Sequence, residues 1–318
     1  MLGNILGWLV FVALAVLFGW LALRLWRVKN RFLKWAGALI SSVISLVLAL
    51  VSIVMLIGMV KFYTPQKVAI PDINVPLTPE NIQRGEHLAN SFCTSCHSTT
   101  GELPLTGGVD LAKDISIPLG SFVSVNLTPA GPLKDWTDGE IFATLRTGVD
   151  PDGRRLINMS YMRARHMSDE DIQAVIAYLR SQPAVVNETQ DPPDRVNLLA
   201  IFLSGAGMLP PFQPPVTGPI TAPPKGPTRE YGEYIVSFQD CRDCHGEDLK
   251  GGKEGQLAPI GWNLQLVKNW TTEQFTTTMR TGVDPNGYHI SENMPWKAIG
   301  RMDDVELEAI HTYLASLP

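Results

Sequence analysis

The chemistry in this sequence sits in two pentapeptides, Cys93-Thr-Ser-Cys96-His97 and Cys241-Arg-Asp-Cys244-His245, which use all four cysteines. The C-x-x-C-H spacing is the attachment signature of c-type haem. Its two thiols reach the vinyl groups on adjacent pyrroles, and the histidine that follows lies under the iron as proximal ligand. Two such motifs imply two covalently attached haem c groups, with His97 and His245 as iron ligands. Other cysteine chemistry fits less well. A thioredoxin-type pair needs a βαβ setting that the sequence lacks. A zinc site needs both pairs in one small domain, whereas a proline-rich stretch separates them. Structural disulfides leave the two histidines unexplained.

The segments that must position these motifs are duplicated. Trp136-Thr-Asp-Gly-Glu140 through Arg146-Thr-Gly-Val-Asp-Pro-Asp-Gly153 returns as Trp270-Thr-Thr-Glu-Gln274 through Arg280-Thr-Gly-Val-Asp-Pro-Asn-Gly287. Asn158-Met159 and Met167 return as Asn293-Met294 and Met302, and Gly85-Glu86 returns as Gly232-Glu233. The closing Ala177-Tyr-Leu-Arg-Ser-Gln-Pro183 matches Thr312-Tyr-Leu-Ala-Ser-Leu-Pro318. A tandem duplication accounts for all of this. Each copy reads as mainly helical. Thr78-Pro79 can open a helix, and Thr137-x-x-Glu140 and Thr271-x-x-Gln274 are capping boxes whose helices Gly148 and Gly282 can close. Ser168 and Asp303 are N-caps for the final helices. Gly85 and Gly232 allow each first helix to approach the last one near Tyr178 and Tyr313.

Residues 183–227 hold 11 of the 24 prolines, including Pro192-Pro193, Pro210-Pro211, Pro214-Pro215 and Pro223-Pro224, and read as an extended linker. Within it, Val196–Leu209 is apolar and uncharged but too short to span a bilayer. Lying on a membrane, packing between the copies and meeting another subunit all remain open for this stretch.

Charge is partitioned along the 318 residues. The net −5 combines +7 on residues 1–70, which contain no acid, with −12 on residues 71–318. A single soluble domain is excluded, and so is nucleic-acid binding, because the folded part would repel phosphate. Residues 1–23 and Trp35–Val60 are uncharged apolar runs, each long enough to cross the roughly 30 Å hydrocarbon layer as a helix. Arg24, Arg27, Lys29, Arg31 and Lys34 lie between them, which puts that loop in the cytoplasm and the rest of the chain outside it. Neither run fits a cleaved signal peptide. The expected organisation is a transmembrane helical hairpin over 1–70, haem modules over 71–182 and 228–318, and a linker over 183–227.

The modules resemble class I cytochrome c domains, and more narrowly the cytochrome c subunits of bacterial membrane-bound dehydrogenases for alcohols, aldehydes or sugar acids. Asn126-Leu-Thr-Pro129, Trp136-Thr-Asp-Gly-Glu140, Arg146–Gly153, Met159-Ser-Tyr161 and Ser168-Asp-Glu-Asp171 through Leu179-Arg-Ser181 carry the likeness. That family more often has three modules and no N-terminal hairpin. The resemblance implies a mainly α fold, a bacterial inner-membrane location and haem domains on the periplasmic side.

The sixth iron ligand has candidates in Met159, Met162, Met167 and His166, and in Met294, Met302 and His289. Repeat register removes Met162, His166 and His289. Met167 and Met302 each precede a helix cap, with Ile172 or Leu307 placed as hydrophobic-staple partners. Met159 and Met294 are favoured, because Met294-Pro-Trp296 resembles the ligand loop of the family. Trp136 and Trp270, or Arg146 and Arg280, are candidates for haem propionates. Pro118-Leu-Gly120 and Pro259-Ile-Gly261 are candidates for the carbonyl that fixes each proximal histidine.

The expected activity is electron relay rather than catalysis. The expected partners are membrane lipid, a membrane dehydrogenase or respiratory-complex subunits as donor, and a soluble cytochrome or oxidase as acceptor. A dihaem subunit of a haem-copper oxidase is an alternative. A dihaem peroxidase is a weaker one, since it needs one iron with a displaceable ligand and both modules keep methionine in the same register.

Overall fold

The computed structural model describes residues 1–115, 117–187, 194–214 and 216–318, so Pro192-Pro193 and Pro215 of the expected linker lie outside the described residues. The helices in chain order are α1 (Leu2–Leu25), α2 (Ala38–Tyr63), α3 (Pro79–Leu88), α4 (Thr94–His97), α5 (Asp138–Thr147) and α6 (Asp169–Ser181). They continue as α7 (Leu198–Gly205), α8 (Arg229–Phe238), α9 (Cys241–His245), α10 (Thr272–Thr281), α11 (Trp296–Ile299) and α12 (Asp304–Ser316). The chain divides into two compact units, Met1–Pro65 with Arg195–Pro211, and Gln66–Asp194 with Phe212–Pro318. The expected linker is therefore shared between both units, and the apolar stretch whose placement the sequence left open contains a helix.

In the first unit, a π-helical turn at Leu33–Gly37 runs directly into α2. Both α1 and the continuous helix Leu33–Tyr63 are long and apolar enough to cross a membrane. The two pack as a hairpin in which polar side chains bond to the facing backbone. Trp8 Nε1 donates to the Ser52 carbonyl at 2.9 Å and Ser45 Oγ to the Ala15 carbonyl at 2.8 Å. At the connecting loop Trp26 and Trp35 meet edge to face, and Lys34 stands over the Trp26 ring. Most outward side chains along both helices are apolar and exposed.

The second unit holds both modules. The local code of each works as the sequence dictates. Thr78 and Thr228 cap α3 and α8, and Thr137 and Thr271 make complete capping boxes on α5 and α10. Gly148 and Gly282 close those helices in the left-handed conformation, at φ +71° in each. The first and last helices of each module cross at a glycine. A Cβ on Gly85 would collide with the Ala174 carbonyl and the Tyr178 side chain, and one on Gly232 with the Ala309 carbonyl and the Tyr313 side chain. Larger residues would push the helices apart, so the crossing depends on these two positions. Met167 and Met302 are buried in the same core as Ile172 and Leu307, as staple residues should be.

The two modules meet through equivalent helices in a reciprocal pattern. Phe92 and Phe238, each just ahead of a cysteine motif, contact edge to face with centroids 6.0 Å apart. His87 Nε2 on α3 lies 2.5 Å from Glu306 Oε2 on α12, while the Tyr234 hydroxyl on α8 donates to Asp171 on α6 at 2.6 Å. Arg84 joins the two halves, pairing with Asp171 and with Glu306 at 2.9 Å each.

Candidate functional site

Each cysteine motif occupies a short helix that follows directly on the module's first helix. In the first module α3 passes through a π-helical turn, Ala89–Cys93, into α4. In the second, α8 stops at Phe238 and α9 restarts at Cys241. The spacing from glycine to first cysteine is one residue longer there, which accounts for the break. Cys93, Cys96, Cys241 and Cys244 are all half-buried, and none of them is in a disulfide. Burial pushes Cys93 and Cys241 up to about 12 and Cys244 up to about 11. Sulfurs in this setting stay protonated rather than becoming thiolates. They suit uncharged thioethers.

Both histidines are held the same way. His97 Nδ1 lies 3.1 Å from the Val125 carbonyl, and His245 Nδ1 lies 2.6 Å from that of Trp262. Burial pushes both imidazoles below their ordinary range, so each is neutral with Nδ1–H donating to the carbonyl. That tautomer leaves the Nε2 lone pair free for a metal, the usual arrangement for a metal-bound histidine. Further along, the Gly107 N–H donates to the His97 carbonyl at 2.7 Å, and the Gly251 N–H to the His245 carbonyl at 2.8 Å. These features together fit a covalently held haem.

The carbonyl acceptors correct the expectation drawn from Pro118-Leu-Gly120 and Pro259-Ile-Gly261. The informative repeat is Asn-Leu, Asn126-Leu127 against Asn263-Leu264, and the acceptor in each module is the residue before the asparagine. Each asparagine builds an Asx turn that fixes its neighbour, with Asn126 Oδ1 accepting from Thr128 N and Asn263 Oδ1 from Gln265 N. Matching the modules on Pro-x-Gly missed this signal.

The candidate methionines lie on matched loops. A short hairpin, with bridges Val149 to Arg155 and Val283 to His289, leads from the α5 or α10 cap to the methionine. The cap glycines back the loops. A Cβ on Gly148 would strike the Met159–Ser160 backbone, and one on Gly282 the Trp296 ring. Met159 and Met294 are both half-buried, and Trp296 beside Met294 has a buried indole N–H without a hydrogen-bond partner. In the first module Arg165, only 1% exposed, clamps the loop by donating to the Met159, Ser160 and Met162 carbonyls and to those of Gln213 and Pro214. Sequence reasoning did not single out this residue, and it has no counterpart in the second module.

Arg146 and Arg280 are engaged elsewhere. Arg146 donates to the Arg165 and Met167 carbonyls and pairs with Asp169 at the start of α6, while Arg280 pairs with Asp304 at the start of α12. They tie helices together and are poor candidates for propionates. Of the discarded ligands, His166 is pushed below its ordinary range by burial and by Arg163, Arg165 and Arg146. His289 is exposed.

Arginines also link each module to the other's cysteine helix. Arg163 pairs with Asp243, at 3.0 Å, and with Glu247, and its backbone N–H donates to Asp240. Arg301 donates to the Asn90 and Gly101 carbonyls and to Thr94 Oγ1, between Cys93 and Cys96, and pairs with Glu102.

Residues 82–183 and 230–318 match the family model for cytochrome c. The chain is 25% identical over 268 residues to the gluconate 2-dehydrogenase cytochrome c subunit of Pantoea cypripedii, covering 74% of this chain and 59% of that protein. It is 26% identical over 212 residues to the cytochrome c subunit of the quinone-type alcohol dehydrogenase of Gluconobacter oxydans, covering 64% and 44% respectively. A nicotinate dehydrogenase subunit of Pseudomonas putida aligns over 282 residues at 25% identity, 76% of this chain but 22% of that protein. The chain thus spans about half the length of the first two of these relatives. Two matched segments, each containing a C-x-x-C-H helix with a carbonyl-fixed histidine, lead to one conclusion: the chain belongs to the cytochrome c family, whose members carry covalently bound haem c.

Proposed function

We propose that the chain is a membrane-anchored dihaem cytochrome c. It relays electrons on the extracytoplasmic side, from a membrane dehydrogenase or quinol-oxidising complex to a soluble cytochrome or terminal oxidase. The observation that carries this reading is the duplicated site, in which both C-x-x-C-H helices present a histidine fixed through Nδ1 by a backbone carbonyl. Bound haem supplies the ferric–ferrous couple through which single electrons pass. Cys93, Cys96, Cys241 and Cys244 attach it as thioethers, and His97 and His245 offer Nε2 to the metal. Met159 and Met294 would supply one further ligand each, and a thioether ligand favours the reduced state. The hairpin and its five-cation loop support an inner-membrane anchor with both modules outside. The relatives named as dehydrogenase cytochrome subunits support a dehydrogenase donor.

The test is the purified holoprotein. Haem analysis should give two groups per chain, and combining Cys241→Ala with Cys244→Ala should leave one covalently bound. Met159→Ala and Met294→Ala should each remove about half of the weak methionine–iron charge-transfer band while keeping both haems. A high-spin ferric spectrum with peroxide turnover in the unaltered protein would defeat the relay reading.

A further inference from the structure

The stretch Arg195–Pro211 belongs to the same compact unit as the hairpin, although it lies between the two modules in sequence. Its helix, α7, is fitted closely to α2. Ile201 is fully buried against Met55 and Met59. A Cβ on Gly58 would collide with the Ile201 carbonyl, and one on Gly205 with the Val54 carbonyl, so the two backbones touch. Small residues at a crossing are how membrane helices gain contact without a hydrophobic driving force between them.

The ends of α7 are prepared for a medium without water. Asn197 Oδ1 accepts from Ala200 N at the start. At the finish, Lys61 Nζ on α2 donates to the Ser204 carbonyl at 2.7 Å, and Ala206 and Met208 N–H groups return to Phe202 and Leu203 carbonyls. Upstream, Asn4 Nδ2 bonds both the Tyr63 hydroxyl and the Val196 carbonyl. Non-spanning backbone at membrane depth is tolerated where its polar groups are satisfied by protein. A surface linker would need none of these devices.

The opposite face of α7 is apolar and uncovered. Leu199 is 41% exposed and Leu203 half-buried, and Met208, just past the helix, is 68% exposed, whereas Phe202 packs against the cluster of Met55, Met59 and Ile201. No charged side chain occurs between Val196 and Leu209. In the same unit, α1 and α2 also carry many exposed apolar side chains. Gly58 lies five residues before Tyr63, so the crossing is about 7 Å below the aromatic end of α2. That depth is the level occupied by interfacial helices, about 5–10 Å into the boundary of headgroups and chains.

We propose that α7 is a third membrane element, a short helix set into the outer leaflet against the hairpin with its free face covered by lipid acyl chains. The proposal rests on the reading of the hairpin as membrane-spanning. It makes the chain between the modules a second point of attachment to the bilayer.

The test uses the full holoprotein in lipid vesicles, with single spin labels on Leu199→Cys, Met208→Cys, Val47→Cys and Val186→Cys. Val47 on α2 is the lipid reference and Val186, 79% exposed, is the aqueous one. Collision with oxygen relative to a water-soluble nickel chelate should be about tenfold higher at 199 and 208 than at 186, and close to the value at 47. A lipid-like value at 47 with aqueous values at 199 and 208 overturns the proposal alone. Poor access to both probes at 199 and 208 means a protein covers this face, which also overturns it. An aqueous value at 47 overturns the hairpin reading and the proposal with it.

Discussion

Glu306 is 3% exposed and sits at the third position of α12, facing His87 and Arg84 of the other module. Burial alone would raise its pKa. The hydrogen bond and charge of His87, then of Arg84, outweigh that and hold the carboxyl down to about 2. An unfolded glutamate titrates near 4.3. The folded value is the lower one, so the stabilisation is complete above about 4.3 and is lost as pH falls towards about 2. A difference of that size corresponds to about 3 kcal/mol. Unfolding free energies measured between about pH 5 and pH 2 should therefore fall with acid, and Glu306→Gln should flatten that slope. An unchanged slope in the variant would refute the assignment. The partners of Glu306 were not legible in the sequence. In repeat register Arg84 matches Tyr231 and His87 matches Tyr234, so the pairing crosses between unlike residues. The haem-attachment motifs were legible because covalent chemistry demands fixed residue types at fixed spacing. Arg165 was not, since its five donors meet backbone carbonyls and leave no complementary residue to read.

The glycine crossings govern how the helices pack. Gly85→Ala and Gly232→Ala each gain helix propensity of up to about 1 kcal/mol but force a methyl group into a carbonyl of the facing helix. Overpacking is expected to win, for a net loss of about 2 kcal/mol in chemical denaturation. A stabilised Gly85→Ala would show that α3 and α6 can separate without cost. Most helices here were legible because their caps are local, with each N-cap and its third helical residue only three positions apart. The place of α7 was not, because it depends on Gly58 and Lys61, far back along the chain. The carbonyls that fix the histidines fell between these cases. The signal was local, but it lay in Asn-Leu rather than in the more conspicuous Pro-x-Gly.

At the scale of the molecule, charge decides which partners approach. Residues 71–318 carry −12, and the propionates of bound haem would deepen it. A redox partner with a lysine-rich face should be steered towards this surface, and raising ionic strength from about 0.01 M to 0.15 M shortens the Debye length from about 30 to 8 Å. Electron exchange with a small basic cytochrome, followed by stopped flow, should slow by roughly tenfold over that range. A rate that is flat or rises with salt would exclude electrostatic docking through the acidic modules.

The reciprocal arginine links imply a kinetic regime as well. A pair of tethered carriers must wait for one to swing into reach of the other, and that wait lengthens as the solvent thickens. Here Arg163 and Arg301 each grip the other module's cysteine helix, and Phe92 meets Phe238 between them. The spacing between the two attachment sites is set by folding. In the proposed dihaem relay, passage from one to the other would then behave as conduction through a solid, indifferent to viscosity, with diffusion pacing only arrival and departure at the ends.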